Sequence, residues 1–169
     1  NDITGKALQQ LRLMGFTHIW YTGVIEHATM TSYAAFGIPD DDPDVIKGRA
    51  GSPYAVKDYY DIDPDLATDV PNRMAEYEAL IKRTHANGLK VIMDFVPNHV
   101  SRLYHSDAKP AGVDDFGAKD DTTKAFSPQN DFYYIPGQPF KVPAGYQPGG
   151  AEFTSPLKDG HFDEYPARA

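Results

Sequence analysis

Ala86-Asn87-Gly88-Leu89-Lys90-Val91-Ile92-Met93-Asp94-Phe95-Val96-Pro97-Asn98-His99 is the stretch on which the fold turns. Gly88 stands where a helix ends on a left-handed residue. Residues 89–96 (LKVIMDFV) form a nearly all-apolar run suited to a buried strand. Three polar side chains, Asp94, Asn98 and His99, sit at the C-terminal end of that run. Working upstream, Met74, Tyr77, Leu80, Ile81 and Thr84 share one face at helical spacing, with Asp69 as N-cap and Pro71 in the first turn. The same rhythm occurs once before. Asp2 or Thr4 caps a helix with Ala7, Leu8, Leu11 and Met14 on its inward face, Gly15 ends it, and residues 16–24 (FTHIWYTGV) read as a strand. Helix–Gly–strand twice over predicts an α/β fold with parallel strands covered on both faces.

The connection between the two units, residues 25–68, is much longer than an ordinary one, and connections of that length are usually functional. Its acidic run Asp40-Asp41-Asp42-Pro43-Asp44 reads as a solvated turn. From Ser101 the pattern changes. This part holds 8 of the 14 prolines and 7 of the 14 glycines, and no helical face can be traced. Phe132, Tyr133, Tyr134, Phe140 and Phe153 exclude a flexible linker, so short strands and turns are expected. Two units follow, residues 1–100 and 101–169.

Composition narrows the function classes. With 24 acidic and 16 basic side chains in 169 residues, the net charge of −8 argues against nucleic acid or an anionic membrane surface as partner. The absence of cysteine removes disulfides, thiolate zinc sites and cysteine nucleophiles. No apolar run approaches the roughly 18 residues of a membrane helix. The chain lacks an initial Met and stops at Arg168-Ala169 without a closing element, so a piece of a longer protein is expected.

Chemistry is best placed at Asp94, Asn98 and His99, because parallel α/β folds build their sites at the C-terminal ends of strands. Asp94 lies between Met93 and Phe95, so its carboxylate needs a cationic or hydrogen-bonding partner. Asn98 offers a carbonyl oxygen that suits a hard cation such as calcium. His99 offers a donor for a ligand hydroxyl. The structural alternative makes Asp94 a buried hydrogen-bonding residue, with Asn98 and His99 merely forming the turn. A second signal is Gly51-Ser52-Pro53-Tyr54-Ala55-Val56-Lys57-Asp58-Tyr59-Tyr60. Its tyrosines suit the flat face of a sugar ring, or else Tyr54 and Tyr60 pack the loop. Other patterns fail. Asp61-Ile62-Asp63-Pro64-Asp65 imitates an EF-hand loop, but Leu66 stands where Gly is needed and Asn72 where Glu is needed. Glu76 and Glu78, two residues apart on a helix, do not share a face. There is no phosphate-binding Gly-rich loop and no nucleophile elbow.

Asp94-Phe95-Val96-Pro97-Asn98-His99 resembles the first conserved region, D-x-V-x-N-H, of the alpha-amylase family of glycoside hydrolases. Leu13-Met14-Gly15-Phe16-Thr17-His18-Ile19-Trp20 resembles that family's passage from helix 1 to strand 2. The segment from Tyr54 to Tyr60, followed by Asp61-Ile62-Asp63, resembles its aromatic-rich segment after strand 2. Ala86-Asn87-Gly88-Leu89-Lys90-Val91 resembles the approach to strand 3. The resemblance implies a partial (β/α)8 TIM barrel (helix 1, strand 2, helix 2, strand 3) in residues 1–100, and an irregular, strand-containing insertion after strand 3 in residues 101–169.

The same resemblance implies a retaining glycosidase that cleaves α-glucosidic bonds in starch-like α-glucans. Its nucleophile and acid, about 5 Å apart in retaining enzymes, come from later motifs, so no catalytic acid is expected in this chain. By resemblance, His99 bonds the sugar before the cleaved bond and Tyr54 stacks on that sugar. Asp58 supports the aromatic, Asp94 steadies an arginine outside this chain, and Asn98 contributes to a structural calcium. Residues 26–49 are expected to shape one rim of the groove. The substrate would be an α-glucan oligo- or polysaccharide, and the location extracellular, periplasmic or at the cell surface. Transfer or isomerisation of glucosyl units, or a non-catalytic glycan-binding barrel, are the alternatives.

Overall fold

The computed structural model describes residues 3–145 and 157–169. Asp2 and Phe153 lie outside them. Helix α1 (Gly5–Leu13) is capped by Thr4, whose hydroxyl accepts from the backbone N–H of Ala7 at 3.2 Å. Gly15 takes the left-handed conformation behind it, at φ 94°. Of the expected inward face only Leu8 is fully buried; Leu11 is half-buried, while Ala7 and Met14 are exposed. Strand β1 is His18–Tyr21 and strand β4 is Lys90–Met93. They pair in parallel, with Ile19 opposite Val91 and Tyr21 opposite Met93. Both are shorter than the apolar runs that announced them.

Between them runs α2 (Arg73–Ala86), entered through a 3-10 turn at Val70–Asn72. Asp69 opens that turn without bonding a backbone N–H, its carboxylate instead accepting from the Asn72 amide at 2.7 Å. The cap is made by Glu76, which reaches back to the N–H groups of Thr68 and Asp69 at 3.0 and 2.8 Å. Tyr77 and Leu80 pack against Tyr21, Val24, Ile25 and Val56, together with Ile19 and Val91. Met74, expected on that face, is 41% exposed. Thr84, fully buried, donates to the Leu80 carbonyl at 2.8 Å, so the Tyr21 hydroxyl, also 2.8 Å from it, must be the donor of that second bond.

The expectation that both faces of the strand pair are covered is not met within this chain. Trp20 is 64% and Ile92 47% exposed, whereas their neighbours Ile19 and Val91 are half-buried. Side chains alternate across a strand, and α2 covers one face only.

The long connection is only in part a loop. It contains β2 (Ile25–His27) and β3 (Val56–Ile62), paired antiparallel with register shifts on both sides of Glu26. Nor is the acidic run simply solvated. The Asp41 side chain is 1% exposed and pairs with Lys57 at 3.3 Å, Asp42 caps a 3-10 turn, and Asp44 accepts from the N–H groups of Asp159 and Gly160. Contacts distant in sequence, invisible to local charge patterning, recruit Asp41 and Asp44.

Residues 101–145 and 157–169 are mostly turns, with one short antiparallel pair, β5 (Tyr134–Ile135) and β6 (Ala167–Arg168). Arg102 ties the two ends together, donating to Glu164 at 2.7 Å and lying 4.1 Å from the Phe140 ring centroid. This segment is also stitched to β3, through Ser101 N–H to Val56 and His105 N–H to Lys57.

Candidate functional site

The polar end of β4 opens into a cavity of about 710 Å³ with an aromatic wall. Tyr59, Tyr60, Phe95, Phe116 and Phe132 line it, with Asn98, His99 and Arg168 as polar members. Tyr60 and Phe116 stack at 6.4 Å with 21° between their planes. Tyr59 holds the motif in place. Its hydroxyl lies 2.6 Å from the Val96 carbonyl and 3.1 Å from that of His99, and its ring touches those of Phe95, Tyr104 and Phe116. The aromatic run around Tyr54 is legible in the sequence, but nothing local marks Tyr59 as the residue that pins residues 96–99. Its partners are 37 and 40 positions away.

His99 is exposed at the cavity edge. Its Nδ1 lies 3.3 Å from Asn98 Nδ2. An amide nitrogen can only donate, so Nδ1 accepts and the neutral ring carries its proton on Nε2. That leaves Nε2–H as a donor for a ligand hydroxyl.

Asp94 continues the strand pairing, its N–H donating to the Tyr21 carbonyl at 3.1 Å. It is half-buried, and no cationic side chain among the described residues pairs with it. Tyr54 is 51% exposed in the turn closed by Ala55 N–H and the Ser52 carbonyl. Asn98 and His99 therefore share the cavity, while Asp94 and Tyr54 are not part of its lining. The wall contributed by Tyr54's own segment is Tyr59 and Tyr60, farther along β3.

Asp58 is fully buried and its carboxylate caps backbone: Oδ1 accepts from Tyr60 N–H at 2.7 Å, and Oδ2 from Asp107 and Ala108 N–H at 3.1 and 3.4 Å. Burial pushes its carboxyl up, with those hydrogen bonds pulling the other way. Asp58 also belongs to a cluster that local spacing could not reveal. Single carboxylate oxygens of Glu26, Asp58, Asp61 and Asp107 all lie within 4.8 Å of one another. Asp61 in turn is gripped by Arg73 through Nε, at 2.9 Å, and Nη2. The aspartates that imitate an EF-hand loop diverge instead: Asp61 meets Arg73, Asp63 meets His27 at 2.8 Å, and Asp65 takes the hydroxyls of Thr29 and Tyr33.

Comparison with known proteins supplies the family. The family model described as alpha amylase, catalytic domain, matches residues 2–151. The chain belongs to the alpha-amylase catalytic-domain family. Its β1–α2–β4 unit, two parallel strands with a crossover helix, is accordingly part of a TIM barrel. Maltase 1 of Drosophila virilis is 39% identical over 37% of this chain and 10% of its own length. The amino acid transporter heavy chain SLC3A1 of Rattus norvegicus is 46% identical over 28% of this chain and 6% of its own. Among solved structures, a noncanonic maltogenic alpha-amylase, AmyB, from Thermotoga neapolitana is 30% identical, with a TM-score of 0.43, over 59% of this chain and 19% of that one. The chain thus aligns with a tenth or less of the length of the first two relatives. No helix among the described residues is long and apolar enough to cross a membrane.

Proposed function

We propose that this chain is the substrate-binding front part of a retaining α-glucosidase or α-amylase acting on starch-like α-glucans. The observation that carries the reading is His99 of the D-x-V-x-N-H motif, with its Nε2–H free to donate, at the edge of an aromatic-walled cavity of about 710 Å³. Glucosyl rings present both features such a wall needs, an apolar face for aromatic rings and hydroxyls for a fixed donor. In this reading residues 1–100 belong to the barrel, spanning helix 1 to strand 3, and residues 101–169 form the insertion after strand 3. His99 holds the sugar before the scissile bond, Tyr54, outside the lining of the cavity itself, stacks on that sugar, Asp58 supports the segment that carries Tyr54, and Asp94 awaits an arginine from elsewhere in the barrel. Asn98 is the chain's contribution to a structural calcium, whose other ligands lie outside the motif. The carboxylate pair that does the chemistry comes from other parts of the protein, and the location is extracellular, periplasmic or at the cell surface.

The test is His99→Ala in the intact protein, assayed on maltooligosaccharides. A donor placed for the geometry of the distorted sugar holds the transition state better than the ground state, so kcat should fall at least about tenfold with a smaller change in KM. Unchanged kcat in a folded variant would remove His99 from the site. A second reading, a barrel without catalysis, is favoured by the resemblance to a transporter heavy chain. It predicts no release of sugar from any α-glucan. Glucosyl transfer or isomerisation would show as products larger than, or isomeric with, the substrate.

A further inference from the structure

We propose that Glu26, Asp58, Asp61 and Asp107 form a binding site for a hard divalent cation of the calcium type, built on residues other than Asn98. The four carboxylates come from β2, β3 and the segment after residue 100, and one oxygen of each lies within 4.8 Å of the others. Oxygens on opposite sides of a calcium ion are about 4.6–5.2 Å apart, so one ion can touch all four.

A second observation points to a ligand. Glu26 is 2% exposed, its Oε2 is buried, and that oxygen has no hydrogen-bond partner among the described residues. Leaving a carboxylate oxygen buried and unsatisfied is strongly unfavourable. Glu26 also stands directly across the antiparallel pair from Asp58, and like charges in that position repel. Register shifts flank Glu26 on both sides, the kind of irregularity that re-aims a side chain.

The cations already present do not balance the cluster. Arg73 reaches Asp61 and, at 3.8 Å, Asp107. Lys57 is engaged elsewhere, by the Pro39 carbonyl and Asp41. One guanidinium thus touches the four-carboxylate cluster, with the Lys57 ammonium nearby but bonded elsewhere. An all-oxygen donor set, with neither imidazole nor thiolate, selects a hard ion over zinc or copper. Asp107, with a side chain 29% exposed, gives the ion a way in. The inference does not depend on the glycosidase reading.

The experiment uses the intact protein stripped with EDTA and returned to calcium chloride, with bound calcium counted after dialysis and Tm measured. Glu26→Gln and Asp107→Asn should each bind one calcium fewer per molecule than the wild type and lose the corresponding rise in Tm. Magnesium chloride at the same concentration should protect less, because magnesium demands a tighter octahedral shell. If Glu26→Gln fails to fold, Asp107→Asn, on the accessible rim, decides alone. The proposal is overturned if the wild type binds no calcium, if the folded variants bind as many ions as the wild type, or if magnesium protects equally.

Discussion

Arg73→Met tests how β3 is fastened to α2. The Arg73 guanidinium donates to Asp61 Oδ2 through both Nε and Nη2, and a third N–H reaches the Val70 carbonyl at 3.0 Å. The Asp61 side chain is 3% exposed and that of Arg73 13%, so water screens the pair little. With Arg73 gone, the Asp61 carboxylate keeps one bond, from Ile62 N–H at 2.7 Å, and remains buried. Removing one partner of a buried pair costs about 3–5 kcal/mol, most of it the penalty of the stranded charge rather than the worth of the pair. Methionine keeps much of the arginine stem's packing, which isolates the electrostatic part. Adding Asp61→Asn removes the stranded charge, so the double variant should recover at least half of the loss. The assay is urea denaturation of the intact protein at pH 7 in EDTA, followed by circular dichroism, as a double-mutant cycle. A loss below about 1 kcal/mol for Arg73→Met, or a double variant no better than the single, would refute the claim that this pair carries a buried charge.

Two further outcomes follow from the site and its surroundings. Tyr59→Phe keeps the ring contacts but removes the hydroxyl that holds the Val96 and His99 carbonyls. It should cost about 1 kcal/mol of stability and lower kcat while leaving KM nearly unchanged, because His99 loses its fixed position; unaltered kinetics would make Tyr59 purely structural. Asp65 is held below its ordinary value of 3.8: burial opposes this, but the hydroxyls of Tyr33, at 2.6 Å, and Thr29, at 2.9 Å, outweigh it. A depressed carboxyl contributes stability that is present above its unfolded value and lost as pH falls through the folded one. Tyr33→Phe should therefore lower Tm at pH 6 and shrink the drop in Tm between pH 5 and pH 3, and identical acid profiles would disprove the assignment.

The sequence by itself determined the two helix–strand units and the motif. Gly15 and Gly88 end helices where the sequence places them, α2 covers the predicted stretch although Met74 on its expected inward face is exposed, and residues 18–21 and 90–93 are strands. These features rest on local rules, namely helical period, apolar runs and the conformational preference of glycine, which act within a few residues. The Asp94–His99 motif is likewise contiguous and was legible in the chain itself.

Tertiary structure alone decided what lies beside what. It paired residues 25–27 with residues 56–62 within the long connection, buried Asp41 against Lys57, and chose Tyr59 over Tyr54 as the neighbour of His99. It also gathered Glu26, Asp58, Asp61 and Asp107, which are scattered over eighty positions, within reach of one ion. Carboxylates interact through space and through the dielectric around them, and neither distance nor burial is written in their order along the chain.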